Sequence, residues 1–385
     1  MSFYNKVSYL DVNLKNTKVI LRLDFSNCIF NGEIYDEYKF FSNIDSIKEI
    51  LKSNPLLVIF YSINNDDDNS ELAKKIEKFI NLPVDEIFSL KEIKFNSKNI
   101  LLFNCIFLQE DYHKENEELS KQIAMLIDLF IFDSIALVNL KNVSTYGISK
   151  FCHSVIGPIV KRELDNINRF ISMQQEKIYI CGLERMFNKL SYIQNMFNIT
   201  TNVFFADGCS LTFLKSLNKN IGKSFFEEEI IKDIVKIQNN FFKKILLPKD
   251  FHSIEKFNQN ELKNIEVDTN KNDSIYMLDI GDETLLNIKK KCSSSKAILL
   301  EGVLGMIELP LFQQQTNDLL QFLKTLSKDK DIFVFLCGNT LVNFLRHNKF
   351  NCNDFSYVSH AEKKIINLFL KKDIHCLTII EDNIL

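Results

Sequence analysis

Glycine is scarce in this chain. Its 385 residues include ten, where ordinary usage of roughly 7% would give about 27. Glycine therefore persists where backbone geometry demands it, and those positions are informative. Tryptophan is absent, and arginine is reduced to Arg22, Arg162, Arg169, Arg185 and Arg346. The nine cysteines include no C-x-x-C pair, and the six histidines show no metal-ligand spacing, so a zinc or dithiol motif is not expected. The cysteines read as buried free thiols of a reducing compartment. No stretch approaches 18 uninterrupted apolar residues, which argues against a transmembrane helix. The opening MSFYNKVSYL lacks the apolar run of a signal peptide. A net charge of −3 argues against bulk nucleic-acid binding. Neither G-x-x-x-x-G-K-[ST] nor G-x-G-x-x-G occurs, which excludes the two common nucleotide-loop signatures. The expectation is a cytoplasmic protein with small-molecule partners, no nucleic acid and no membrane.

What is present is ordinary in bulk: 46% hydrophobic and 25% charged residues, in a chain long enough for two domains. Short apolar runs alternate with helical periodicity. The first series of strands is expected at Lys18–Phe25, Leu56–Tyr61, Asn99–Phe103 and Leu129–Phe132, with helices such as Phe41–Lys52 and Glu115–Ile127. The second is expected at Lys177–Cys181, Asn202–Phe205, Lys244–Leu247, Ser274–Leu278, Ala297–Leu300, Asp331–Leu336 and Phe355–Val358. Its helices include Ile221–Asn240 and Asp318–Leu326. This pattern predicts an α/β protein of two doubly wound parallel-sheet domains. A long amphipathic helix, about Ser154 to Ile171, would join them. The boundaries are expected at 1–155 and 156–371, with a tail of about 372–385 returning to the first domain. Polar stretches at Asn64–Ser70 and Asn258–Asp273 read as loops. Ligands of such sheets bind beyond the carboxyl ends of the strands.

The glycine-bearing stretches supply a resemblance. In order they are NGEI, YGIS, IGPIV, ICGLERM, ADGCSLTFLK, IGKS, LDIGDET, EGVLGMIE and CGNT. From Val19 to about Leu370 the chain resembles phosphoglycerate kinase. RLDFSN, Arg22 to Asn27, is similar to the family's R-V-D-F-N turn. The resemblance implies that Asp24, Phe25 and Ser26 face 3-phosphoglycerate, with Ser26 standing for the asparagine. In NGEIYDEYK, Lys39 falls where the family places a catalytic arginine. A lysine keeps the charge but loses the planar fork, and Lys39 reads equally as a solvated side chain. YSINNDDDN resembles S-H-L-G-R-P only through Ser62. Its acids, Asp66 to Asp68, would repel phosphate if they faced the site, although such loops usually face solvent. LLFNCIF and DLFIFDSIALVNLKNVST place Ile106 and Leu140 at two further arginine positions. Asp133, Ser144 and Thr145 match, and Lys141 is a partial substitute.

In the second half, GLERMFNK resembles G-G-A-K-V-S-D-K. Arg185 and Lys189 fall on its two lysines, which touch the transferring phosphoryl group and the nucleotide phosphates in the family. The alternative is a basic helix terminus satisfying carbonyls. EGVLGMIE, Glu301 to Glu308, resembles N-G-P-M-G-V-F-E, with Glu308 at the ribose-binding acid. CGNT resembles G-G-D-T: Gly338 and Thr340 match, and Asn339 replaces the aspartate near magnesium, a poorer ligand for a hard cation. VSHAEKK stands for I-S-T-G-G-G-A, so the glycine-rich helix start has become His360, Ala361, Glu362 and Lys363.

The resemblance implies a monomeric glycolytic kinase that transfers phosphate between 1,3-bisphosphoglycerate and ADP, with Mg2+ as charge neutraliser and an interdomain cleft. Lys39, Arg185 and Lys189 would be catalytic; Asp24, Phe25, Ser26, Lys39 and Ser62 would bind substrate. Lys189, Glu308, Gly338, Asn339 and Thr340 would bind nucleotide, with Asn339 a weak metal ligand. Each arginine lost removes a charge-assisted bond of roughly 1.5–3 kcal/mol, so the grip on the 3-phosphate is expected to be weakened. The alternative is a catalytically inactive relative kept as a binding or structural protein.

Overall fold

The computed structural model describes residues 4–63, 69–108, 115–182, 185–257, 261–267, 273–329, 331–359, 361 and 364–383. The chain divides into two compact units, Met1–Asn168 with Asn367–Leu385, and Arg169–Ile366. The division falls inside the helix Pro158–Ser172.

The first unit is built on a six-stranded, all-parallel sheet. Its strand order is Val84–Ile87, Ile100–Asn104, Leu56–Ser62, Lys18–Asp24, Leu129–Phe132 and Ser154–Ile156. Lys18–Asp24 lies centrally, with Val19 opposite Leu57 on one side and Leu129 on the other. Covered on both faces, it reads as a nearly unbroken apolar run, and every residue after Lys18 is buried. The chain's tail packs here: Cys376 N donates to Val138 O at 3.0 Å, and Lys6 pairs with Asp382 at 2.8 Å.

The second unit has a six-stranded parallel sheet ordered Ile245–Leu246, Asn202–Phe205, Lys177–Cys181, Ala297–Glu301, Phe333–Cys337 and Tyr357–Val358. In chain sequence this is 3-2-1-4-5-6. The order reverses between Lys177–Cys181 and Ala297–Glu301, which makes their carboxyl ends the switch point where doubly wound folds bind ligands.

Four expectations are corrected. Ser154–Ile156 is an edge strand beside Leu129–Phe132, and the helix begins only at Pro158. Proline lacks an N–H and suits the first helical position, so the chain breaks there. The strand expected at Ser274–Leu278 is Tyr276–Ile280, and it belongs to a separate antiparallel sheet with Asp250–Ile254 and Lys263–Glu266. Part of the expected loop 258–273 is therefore strand. The helix expected over Ile221–Asn240 is helical only from Glu228, as a short 3-10 turn leading into Ile231–Phe241. Gly222, at φ 60°, lies outside the helical region and ends any earlier start.

Candidate active site

In the first unit the candidate residues gather at the carboxyl end of the central strand. Asp36 caps the helix Glu37–Leu51 by accepting from Lys39 N at 3.0 Å, which fixes Lys39 in the first turn. Its Nζ then reaches the Asp24 carboxylate at 2.7 Å and the Ser26 carbonyl at 3.1 Å. The Lys39 side chain is only 15% exposed, so it is not a solvated lysine. The other Asp24 oxygen accepts from Ser26 N at 3.0 Å and Ser26 Oγ at 2.6 Å. Burial works against the Asp24 charge, but the charge and hydrogen bond of Lys39, together with Ser26, outweigh it and hold its pKa below the ordinary value.

Arg22, the first residue of RLDFSN, lies in the same central strand. It is 1% exposed. Its guanidinium donates to the Leu23 carbonyl, the Phe60 carbonyl and Ser62 Oγ. Its Nε has no hydrogen-bond partner, and among the described residues no carboxylate forms an ion pair with it. A buried cation without a counter-ion is costly, and here three hydrogen bonds to oxygen atoms offset part of that cost. The signal in the sequence was an arginine inside an otherwise apolar strand of an arginine-poor chain.

Phe25 is a correction. Its ring is fully buried and meets Phe40 and Tyr61 edge-on, at centroid distances of 6.1 and 6.3 Å. Its backbone N–H and carbonyl are also engaged, with Ser62 and Cys28. The Phe25 side chain is core, so it does not face outward beside Asp24 and Ser26 as the motif implied. Ile106 and Leu140 are each 38% exposed, so apolar side chains stand open where the resemblance puts arginines. Lys141 lies against the Tyr146 ring at 5.7 Å, and Lys91 sits in the turn Leu90–Glu92 after the outermost strand. Asp66 to Asp68 lie outside the described residues, as do His360, Glu362 and Lys363.

In the second unit, backbones converge at the switch point. A Cβ on Gly182 would stand 2.3 Å from the Val303 carbonyl oxygen, so only glycine permits this approach. Gly338, at φ 102°, precedes the helix Asn339–His347, and a Cβ there would lie 3.2 Å from Gly302 N. Asn339 and Thr340 are exposed at that helix start, and Glu308 is exposed as well.

Arg185 and Lys189 bracket the short helix Met186–Lys189. Its first amides are capped by the buried Glu227 carboxylate, which accepts from Met186 N at 2.6 Å and Phe187 N at 3.3 Å. Arg185 is exposed and lies over the Phe225 ring at 5.3 Å. Lys189 points inward: it is 1% exposed, with Nζ 3.1 Å from Glu301 Oε2. Tyr179 donates to the same Glu301 oxygen. Burial pulls the Lys189 pKa down, but the neighbouring Cys181, Glu301 and Tyr192 more than reverse this, and the ammonium stays charged. The structure thus brings Asp24, Ser26, Lys39, Ser62 and Arg22 together in one unit, and Lys189 with Glu301 in the other.

A family model described as phosphoglycerate kinase matches residues 9–371. The chain belongs to the phosphoglycerate kinase family. The phosphoglycerate kinase of Wigglesworthia glossinidia brevipalpis is 28% identical over 389 residues, covering 97% of this chain and 96% of that one. That of Finegoldia magna is 25% identical over 357 residues, covering 87% and 89%. Among solved structures, phosphoglycerate kinase from Coxiella burnetii superposes with a TM-score of 0.87 at 21% identity, covering 97% of this chain and 98% of that one. The enzyme from Pyrococcus horikoshii gives 0.79 at 17% identity with the same coverage. Both show the two-sheet fold described above. Membership makes the chain a kinase, a phosphotransferase, of a family that binds small-molecule substrates.

Proposed function

We propose that this chain transfers a phosphoryl group reversibly between 1,3-bisphosphoglycerate and ADP, giving 3-phosphoglycerate and ATP in glycolysis. In the reverse direction the acceptor is a carboxyl group. The reading includes action as a cytoplasmic monomer. The observation that carries it is the charged Lys189 ammonium at the switch point of the second sheet, where a nucleotide's phosphates would lie.

Phosphoryl transfer needs little covalent chemistry from the protein. It needs positioning and charge stabilisation. In this reading Lys39, Asp24, Ser26, Ser62 and Arg22 hold the phosphoglycerate. Arg185 and Lys189 neutralise the migrating group. Glu308, Gly338, Asn339 and Thr340 contact the nucleotide, with the start of the helix after Gly338 as the anion-facing end. Among the described residues no group of three or more His, Cys, Asp or Glu could hold a metal. Asn339 offers a single amide oxygen, so Mg2+ enters as part of the nucleotide substrate, held chiefly by its phosphates.

The grip on the 3-phosphate is weakened. Removing three arginines would cost about 5–9 kcal/mol if the contributions added, and Ile106 and Leu140 replace none of it. The second reading, an inactive relative kept as a binding protein, draws on the ion pairs Lys39–Asp24 and Lys189–Glu301, which neutralise the two principal lysines internally. A coupled assay with 3-phosphoglycerate and Mg-ATP decides between them. A rate for the unaltered protein well above that of Lys189→Ala supports the kinase. Equal background rates in both reject it.

A further inference from the structure

We propose that Glu301 is a built-in competitor for Lys189, a positioning residue that sets how tightly this site takes the phosphates of a nucleoside diphosphate or triphosphate. The proposal rests on the placement of the nucleotide at the second sheet's switch point, and goes beyond it. Glu301 ends the strand Ala297–Glu301, immediately beside the strand that leads to Lys189. Its carboxylate takes a hydrogen bond from Tyr179 OH and faces the Lys189 ammonium at 3.1 Å. Tyr192 OH stands 3.5 Å from its other oxygen. A tyrosine on one side and an ammonium on the other hold the carboxylate in place. It is therefore preorganised as an anion acceptor on the very cation that an incoming phosphate would use.

Two physical consequences follow. An ammonium has three donors and a single charge. A phosphate oxygen approaching it must share that charge with Glu301 or displace it. The phosphate also meets a like charge within a few ångströms, in surroundings where burial reduces screening. Both effects lower phosphate affinity while keeping Lys189 charged and inward. Glu301→Gln keeps the length and the hydrogen bond from Tyr179, but removes the competing charge.

Calorimetric titration with Mg-ADP tests this on the full chain. Glu301→Gln is expected to bind at least about tenfold more tightly than the unaltered protein, as for release of one charge-assisted contact. The gain should vanish in Glu301→Gln/Lys189→Met, because it acts through the ammonium. In the coupled assay it should lower the KM for nucleotide and leave the KM for 3-phosphoglycerate unchanged. Glu301→Asp, which keeps the charge but draws the carboxylate back from the ammonium and so weakens the ion pair, should fall between. If Glu301→Gln disrupts folding, seen as loss of near-ultraviolet circular dichroism, Glu301→Asp alone carries the test, with several-fold tighter binding expected. Unchanged or weaker Mg-ADP binding by the folded variants overturns the proposal, as does a gain that survives loss of Lys189. Tighter binding without any kinase activity upholds the competitor and rejects the kinase reading. Activity without tighter binding does the reverse.

Discussion

In the first unit, apolar side chains stand where the resemblance puts cations: Ile106 and Leu140 are partly exposed in the segments that follow the strands Ile100–Asn104 and Leu129–Phe132. In the second unit the key cation is still there, but Lys189 is turned inward onto Glu301. The first site keeps Lys39 and Arg22 but has apolar side chains at positions 106 and 140, and no rearrangement of Ile106 or Leu140 can supply a charge there. The second has its donor and opposes it with a carboxylate, so its affinity is set by a competition that one neutral substitution can shift. A site with apolar side chains at two of its charged positions and a site whose principal charge is opposed by a carboxylate differ in how a weak grip on phosphate can be reversed.

The comparison breaks most readily at Lys189. Lys189→Ala leaves Glu301 without its ion-pair partner at a largely buried position, which is expected to cost about 3–5 kcal/mol. Thermal denaturation should show the loss, and phosphotransferase activity should fall to background. The next largest effect is expected at Lys39. Lys39→Ala takes from the buried Asp24 the cation that most lowers its pKa, at a cost of about 1–3 kcal/mol. Titration with 3-phosphoglycerate should weaken while Mg-ADP binding does not change. Equal loss of both ligands would erase the distinction between the sites.

A pH experiment sharpens the contrast further. Asp133, at the end of Leu129–Phe132, accepts from Ser46 Oγ and from Val160 N. Burial outweighs these bonds and raises its pKa from 3.8 to about 7. A raised carboxyl pKa means that the folded state holds a proton the unfolded state has released. Stability of the first unit should therefore fall as pH rises from about 4 towards 7, by up to about 1.4 kcal/mol per pH unit. Denaturant melts across that range should show this slope, and Asp133→Asn should remove it. The smallest effect is expected from restoring charge: Leu140→Arg should raise 3-phosphoglycerate affinity several-fold, as one surface-accessible cation does. No gain would mean that position 140 does not face the anion.

Much of the fold was legible in residue order. Buried parallel strands are covered on both faces, so Lys18–Asp24, Lys177–Cys181 and Asn202–Phe205 announce themselves as apolar runs. Edge and antiparallel strands do not. Ser154–Ile156 looked like the start of a helix, and Lys263–Glu266, mostly exposed, looked like loop. The sites were legible as residue types and not as states. Lys39 could have been solvated, and it is pinned by Asp36 and Asp24. Phe25 sat in a substrate-facing motif, and its ring went to the core.

The sequence alone determined that two doubly wound units would form and which strand ends would carry charge, because alternation of apolar strands and amphipathic helices is a local property. Only the tertiary structure decided which charges meet. Glu301 and Lys189 are far apart in the chain and become partners because parallel pairing sets Glu301 beside Cys181, at the end of the strand that leads to Lys189. Burial then makes that contact strong, by removing the water that would otherwise screen it.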